Sequence, residues 1–104
     1  MPHKHIIIFV TCPSRKEANS LTDILLKNKL IACASMISGV DSRYWWRGKI
    51  MRSMEVLLII KTVNANFGKI EREIRRIHSY EVPEIIALPI TNGSKPYLKW
   101  LRGI

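Results

Sequence analysis

Imidazole, phenol and two carboxylates fall within the run His78-Ser79-Tyr80-Glu81-Val82-Pro83-Glu84, the densest polar cluster in the chain. It follows the end of a predicted helix, in a loop, and loops commonly carry function. His78 has two readings. It is a metal ligand or acid–base group near neutral pH, or a helix-terminal histidine favoured by the macrodipole. Cys12 and Cys33 make a soft ligand pair only if the fold brings them together. Cys33, between Ala32 and Ala34, reads as a small buried hydrophobe, and Cys12, in the loop after the first strand, as the more available thiol. His3 and His5 share one face if that strand extends to them. Lys61 and Glu84 stand at strand ends and have two readings, an ion pair that closes a cleft or plain surface charges. No Gly-rich phosphate loop, nucleophile elbow or zinc spacing is present, so these residues give no argument for an enzyme.

The elements that place these groups are readable from periodicity. Residues 6–11 are apolar on both faces, as in a central strand, and Cys12-Pro13 breaks the run. Ser14 with Glu17 predicts a capping box. It opens a helix that buries Ala18, Leu21, Ile24 and Leu25 and ends near Asn28-Lys29. Residues 30–37 begin the second strand, Ser38-Gly39 marks a bulge, and residues 40–46 continue it. Arg47-Gly48 reads as a tight reversal. The third strand, residues 49–61, alternates Glu55, Leu57, Ile59 and Lys61 against Met54, Val56, Leu58 and Ile60. A second helix buries Phe67, Ile70, Ile74 and Ile77. The last strand covers residues 84–90, with Pro89 at an edge or bulge, and a short helix covers 95–102. The order β-α-β-β-α-β is that of a ferredoxin-like α+β sandwich, here with a long hairpin between the second and third strands.

Composition bounds the possibilities. The chain of 104 residues, with 47% hydrophobic content, reads as a single domain, 1–104, and not as a disordered segment. No apolar run approaches the ~20 residues of a membrane span. Two cysteines give no disulfide framework, and a reduced, cytoplasmic protein is expected. The net charge of +9 invites a nucleic-acid reading. RNA-recognition domains share the strand order but need stacking aromatics on the first and third strands. The third strand has none here and the first only Phe9, so no specific nucleic-acid partner is expected. Apolar character on both faces of three strands leaves one sheet face to be covered, with no long helix left to cover it. Together with Tyr44, Trp45 and Trp46 at the hairpin tip, this predicts a homo-oligomer.

The sequence resembles the CutA family of divalent-ion tolerance proteins. The likeness runs through Val10-Thr11-Cys12-Pro13, Leu30-Ile31-Ala32-Cys33, Tyr44-Trp45-Trp46-Arg47-Gly48-Lys49, Ile60-Lys61-Thr62, the His78–Ile85 loop and Tyr97-Leu98-Lys99-Trp100-Leu101. It implies a ferredoxin-like homotrimer joined through extended hairpins, with Tyr44, Trp45 and Trp46 at the interface. It also implies a role in copper tolerance, with copper(II) or another divalent metal bound and no obligatory cofactor. Val10 stands where some copper-binding members have Cys, Ile77 where some have a second His, and Ser79 where Pro is usual. His78 is the ligand carried over, and Cys12 is a second candidate ligand. The alternative implied by likeness to PII signalling proteins is a trimeric scaffold. It would hold a small anion or a protein partner in an inter-subunit cleft lined by Lys61, Tyr80 and Glu84.

Overall fold

The computed structural model describes residues 4–104. Its elements are β1 (His5–Cys12), α1 (Arg15–Lys27), β2 (Cys33–Trp46), β3 (Lys49–Val63), a 3-10 turn (Asn64–Asn66), α2 (Phe67–Ile77), β4 (Ile85–Pro89) and α3 (Lys95–Arg102). The strands form one antiparallel sheet in the order β2-β3-β1-β4, the ferredoxin-like arrangement. Pairing of Ile8 with both Ile60 and Ala87 fixes the register. It turns Ile6, Ile8 and Val10 of β1, and Val56, Leu58 and Ile60 of β3, toward the helices. There they meet Leu21 and Leu25 of α1 and Ile70 and Ile74 of α2 in one cluster. A one-residue slip would send this whole set to the opposite face, so the apolar pattern itself specifies the register.

Helix α1 opens on Ser14 as expected, its hydroxyl accepting the Glu17 N–H at 3.2 Å, but the other half of the capping box is replaced, as the Glu17 carboxylate turns to the Ser79 N–H instead. Its C-terminus holds a feature with no sequence signal. Lys29 has φ +56°, Leu30 N–H reaches the Leu25 carbonyl and Lys29 N–H reaches that of Leu26, each at 3.0 Å. This is the Schellman ending, with Lys where Gly is usual. Lys29→Gly should therefore raise stability by about 0.5–1 kcal/mol, since relief of left-handed strain exceeds the added chain entropy. Urea unfolding checks it: an unchanged or lower midpoint contradicts this account.

β2 begins three residues later than expected, at Cys33. The Leu30 carbonyl is taken instead by the Thr62 hydroxyl at 2.6 Å and the Asn66 amide at 3.0 Å. The ladder shifts register between Ile37 and Val40, where Gly39 has φ +76°. Arg47 and Gly48 both have positive φ, +52° and +77°, and close the hairpin as a type I′ turn. The paired strands project as an arm that gives the molecule its 44 Å long axis, against 26 and 23 Å across. Trp45, 71% exposed, pairs with Ile50 on one side of the arm, and Tyr44 and Trp46 lie on the other.

The second sheet face has a partial cover that the sequence pattern does not reveal. Helix α3 lies over one end of it. The Tyr97 hydroxyl is 3.8 Å from Cys33 Sγ, and an Arg102 N–H donates to His5 Nε2 at 3.2 Å. Phe9, Leu57 and Ile59 continue this face beyond the helix, flanked by exposed Ile37, Ile86 and Leu88.

Candidate functional site

A cleft of about 750 Å³ opens along the arm, from Glu55 to the aromatics near its tip, against the loop after α2. The arm contributes Tyr44, Trp45, Trp46 and Glu55, and the loop contributes Tyr80, Glu81 and Glu84. Glu55 is buried, and its carboxylate accepts the Tyr80 hydroxyl at 2.8 Å. Burial, and then that bond, hold the Tyr80 phenol well above its ordinary range. Burial, and then the charge of Glu55, also raise the Glu84 carboxyl. At the tip, Arg47 lies 3.5 Å from Glu81 and stacks 5.4 Å from the Trp46 ring centre.

Behind this wall sits His78, its side chain fully buried at the end of α2. Its Nε2 lies 2.8 Å from the Thr11 carbonyl, which only accepts, so this nitrogen carries the proton. Nδ1 is then the lone-pair side. It accepts the Tyr80 N–H at 3.0 Å and lies 3.3 Å from Glu17 Oε2. The same Glu17 oxygen accepts the Ser79 N–H at 3.1 Å. Cys12 completes the group: one donor atom each from Cys12, Glu17 and His78 lie within 4.8 Å of one another. The Cys12 thiol is pushed up to about 12 by burial, then by Glu17 and Glu55, and stays neutral at physiological pH. A nitrogen, a sulfur and a carboxylate oxygen are a donor set that fits a borderline divalent cation such as zinc.

Of the residues singled out from sequence, His78 and Cys12 are brought together, and Tyr80 and Glu84 line the cleft with the arm aromatics. Lys61 is not among them. It pairs with Ile7 and Cys33, whereas Glu84 adjoins the Val10–Ile85 pair three residues along β1, ~10 Å away. No Lys61–Glu84 ion pair closes the cleft of the protomer. Cys12 and Cys33 lie opposite Val56 and Lys61 of β3, so the two thiols do not share a site, and their exposure reverses the expectation: Cys12 ends β1 on its core-facing side and is buried, whereas Cys33 is partly exposed. His5 is buried at the far end of β1 beside Arg102, and His3 lies outside the described residues.

Two participants escape a reading of the sequence. Glu17 is accounted for locally by the capping pattern, yet its side chain serves His78 and Ser79, more than sixty residues on. Glu55 reads as the polar end of an alternating strand. Its only signal is a carboxylate on the face it shares with Leu57, Ile59 and Lys61.

Fold and cleft together define an arm-bearing ferredoxin-like domain with an acidic pocket along the arm. Residues 6–103 match the family model of the CutA1 divalent ion tolerance protein, and the chain belongs to that family. The divalent-cation tolerance protein CutA of Thermus thermophilus is 38% identical over 96 residues, covering 92% of this chain and 93% of the relative. Human protein CutA is 41% identical over 96 residues, and a chloroplastic rice CutA 39% over 98 residues. The chain spans about half the length of those two relatives, 54% and 55%. Among solved structures, Cut A1 of T. thermophilus superposes with a TM-score of 0.92 at 37% identity, covering 94% of this chain and 95% of that one. CutA1 of a psychrotrophic Shewanella gives 0.93 at 38% identity, covering 97% and 94%.

Proposed function

We propose that the chain acts as a homotrimeric binding protein for divalent cations, copper(II) among them, in the service of metal tolerance. The sign of the cleft carries this reading. The chain has a net charge of +9, yet among the described residues the cleft lining gathers Glu55, Glu81 and Glu84 against Arg43, with Arg47 at its rim paired to Glu81. Such a concave acidic surface concentrates cations. It disfavours a small anion, the ligand of the alternative scaffold reading, and Lys61 lies outside it. His78 behind the cleft supplies the imidazole that suits copper, which heads the divalent affinity series. The names of relatives, divalent-cation tolerance proteins, agree with this reading.

The surfaces support the assembly. Ile37, Ile86 and Leu88 flank an apolar sheet face, and Trp45 and Ile50 are exposed on an arm long enough to reach a neighbour. Two free cysteines fit a reducing compartment, the cytoplasm.

Native mass spectrometry of the full chain titrated with copper(II) tests the reading. Three chains per particle with bound copper are expected, with copper weakened in His78→Gln and retained in a His3→Ala/His5→Ala double variant. A monomer overturns the assembly. Copper uptake unchanged in His78→Gln overturns the metal assignment.

A further inference from the structure

The geometry points to Cys12, Glu17 and His78 as one ligand set for a tetrahedral, zinc-type divalent cation, seated behind the cleft where β1, the start of α1 and the end of α2 meet. The inference rests on the reading of the protein as a divalent-cation binder and names which side chains do the binding.

The first observation is the orientation of His78. Histidine ligands of metals characteristically donate their other ring N–H to a carbonyl or carboxylate, which fixes the tautomer and aims the ligating nitrogen. The Thr11 carbonyl, 2.8 Å from Nε2, does this and leaves Nδ1 as the ligating side. Helix α2 ends at Ile77, and this bond ties its cap residue to the end of β1.

The second is spacing. Two electron-rich atoms, His78 Nδ1 and Glu17 Oε2, face each other at 3.3 Å. Two ligands each bonded to zinc at ~2.0–2.1 Å in tetrahedral geometry stand about 3.3 Å apart. Cys12 supplies a third atom within 4.8 Å, and solvent water completes the tetrahedron. On binding, the S–H bond of Cys12 breaks as the sulfur–metal bond forms, and the proton passes to water.

The third concerns what holds the two acceptors in place without a cation. The Ser79 N–H donates to Glu17 at 3.1 Å and the Tyr80 N–H donates to Nδ1 at 3.0 Å. Both amides belong to one turn, and a cation would substitute for both at once. Entry runs past Glu17, whose side chain is about a fifth exposed, whereas that of His78 is fully enclosed. Cation binding therefore lifts the Ser79–Tyr80 turn, and Tyr80 is the residue bonded to Glu55 in the cleft. The occupied site reshapes the cleft.

Cobalt(II) is the probe, because its spectrum reports both geometry and sulfur ligation. The full chain titrated with cobalt(II) alone should give visible bands of tetrahedral cobalt and a near-ultraviolet thiolate-to-cobalt band, both abolished by zinc(II). Cys12→Ser should remove the near-ultraviolet band, and Glu17→Gln should weaken cobalt binding at least about tenfold while keeping the Ser14 cap, which uses only the Glu17 amide. Cys33→Ser should change neither. Absence of the thiolate band in the parent, its survival in Cys12→Ser or its loss in Cys33→Ser overturns the assignment. If copper(II) binds through His78 while cobalt shows no thiolate band, the divalent-cation function stands and this ligand set falls. If no divalent ion binds at all, both fall.

Discussion

Ile86→Asp should leave each chain folded and take the proposed homotrimer apart. In the protomer Ile86 is 51% exposed and pairs with Phe9 at the margin of the uncovered sheet face. A carboxylate there meets water, so the protomer should lose no more than about 1 kcal/mol. Against another copy of the same face the carboxylate is stripped of water with no cation opposite. Burying an unpaired charge costs several kcal/mol, and a symmetric assembly incurs it once per subunit. The expected result in sedimentation is a monomer at micromolar concentration with unchanged far-ultraviolet circular dichroism. A variant that sediments with the parent's mass would place the subunit contacts elsewhere, and the arm would then be the surface to test.

His78→Ala should lower the folding free energy by about 3 kcal/mol. The ring is wholly buried and joins the Thr11 carbonyl to the Tyr80 amide across the end of the sheet. Its removal opens a cavity and leaves both groups without their partner. His78→Phe separates the two costs, because it refills most of the volume and restores neither hydrogen bond. It should recover less than half of the loss. Urea unfolding of the three proteins measures both differences. A loss below about 1 kcal/mol in His78→Ala would mean that the loop after α2 is held by other contacts.

The sheet and helices are legible in the sequence because their periods are clean. Ile6, Ile8 and Val10 alternate with Ile7 and Phe9, and Ile70 and Ile74 recur one helical turn apart. The arm is legible from its Arg-Gly reversal and the length of the runs on either side. Where reading fails, the information is not local. Glu17 has a sufficient explanation three residues away, in the Ser14 cap, and nothing nearby indicates that its carboxylate crosses to Ser79. Lys61 and Glu84 both look like strand ends, yet only the register of β1 against β3 and β4 shows that they end at different places along the sheet. Lys29 illustrates a third limit, since a residue lacking the usual turn chemistry can be carried into the left-handed region by the packing that follows it. Helix α3 is expected at the right residues, but the face it covers is decided by contacts with Cys33 and His5, far off in sequence.

The position of β1 has a consequence in time. It lies inside the sheet, and Ile6 is flanked by Thr62 on one side and Pro89 on the other. In this domain β1 is made before the other three strands, and its second neighbour, β4, after them. Contacts between such distant segments form slowly. Until β3 arrives Ile6-Ile7-Ile8-Phe9-Val10 has no neighbour, and until β4 arrives one of its edges stays open, the kind of exposed apolar stretch on which nascent chains stick to one another. The hazard in making this domain therefore lies in the interval before β3, and then β4, reach β1, rather than in the stability of the finished sheet.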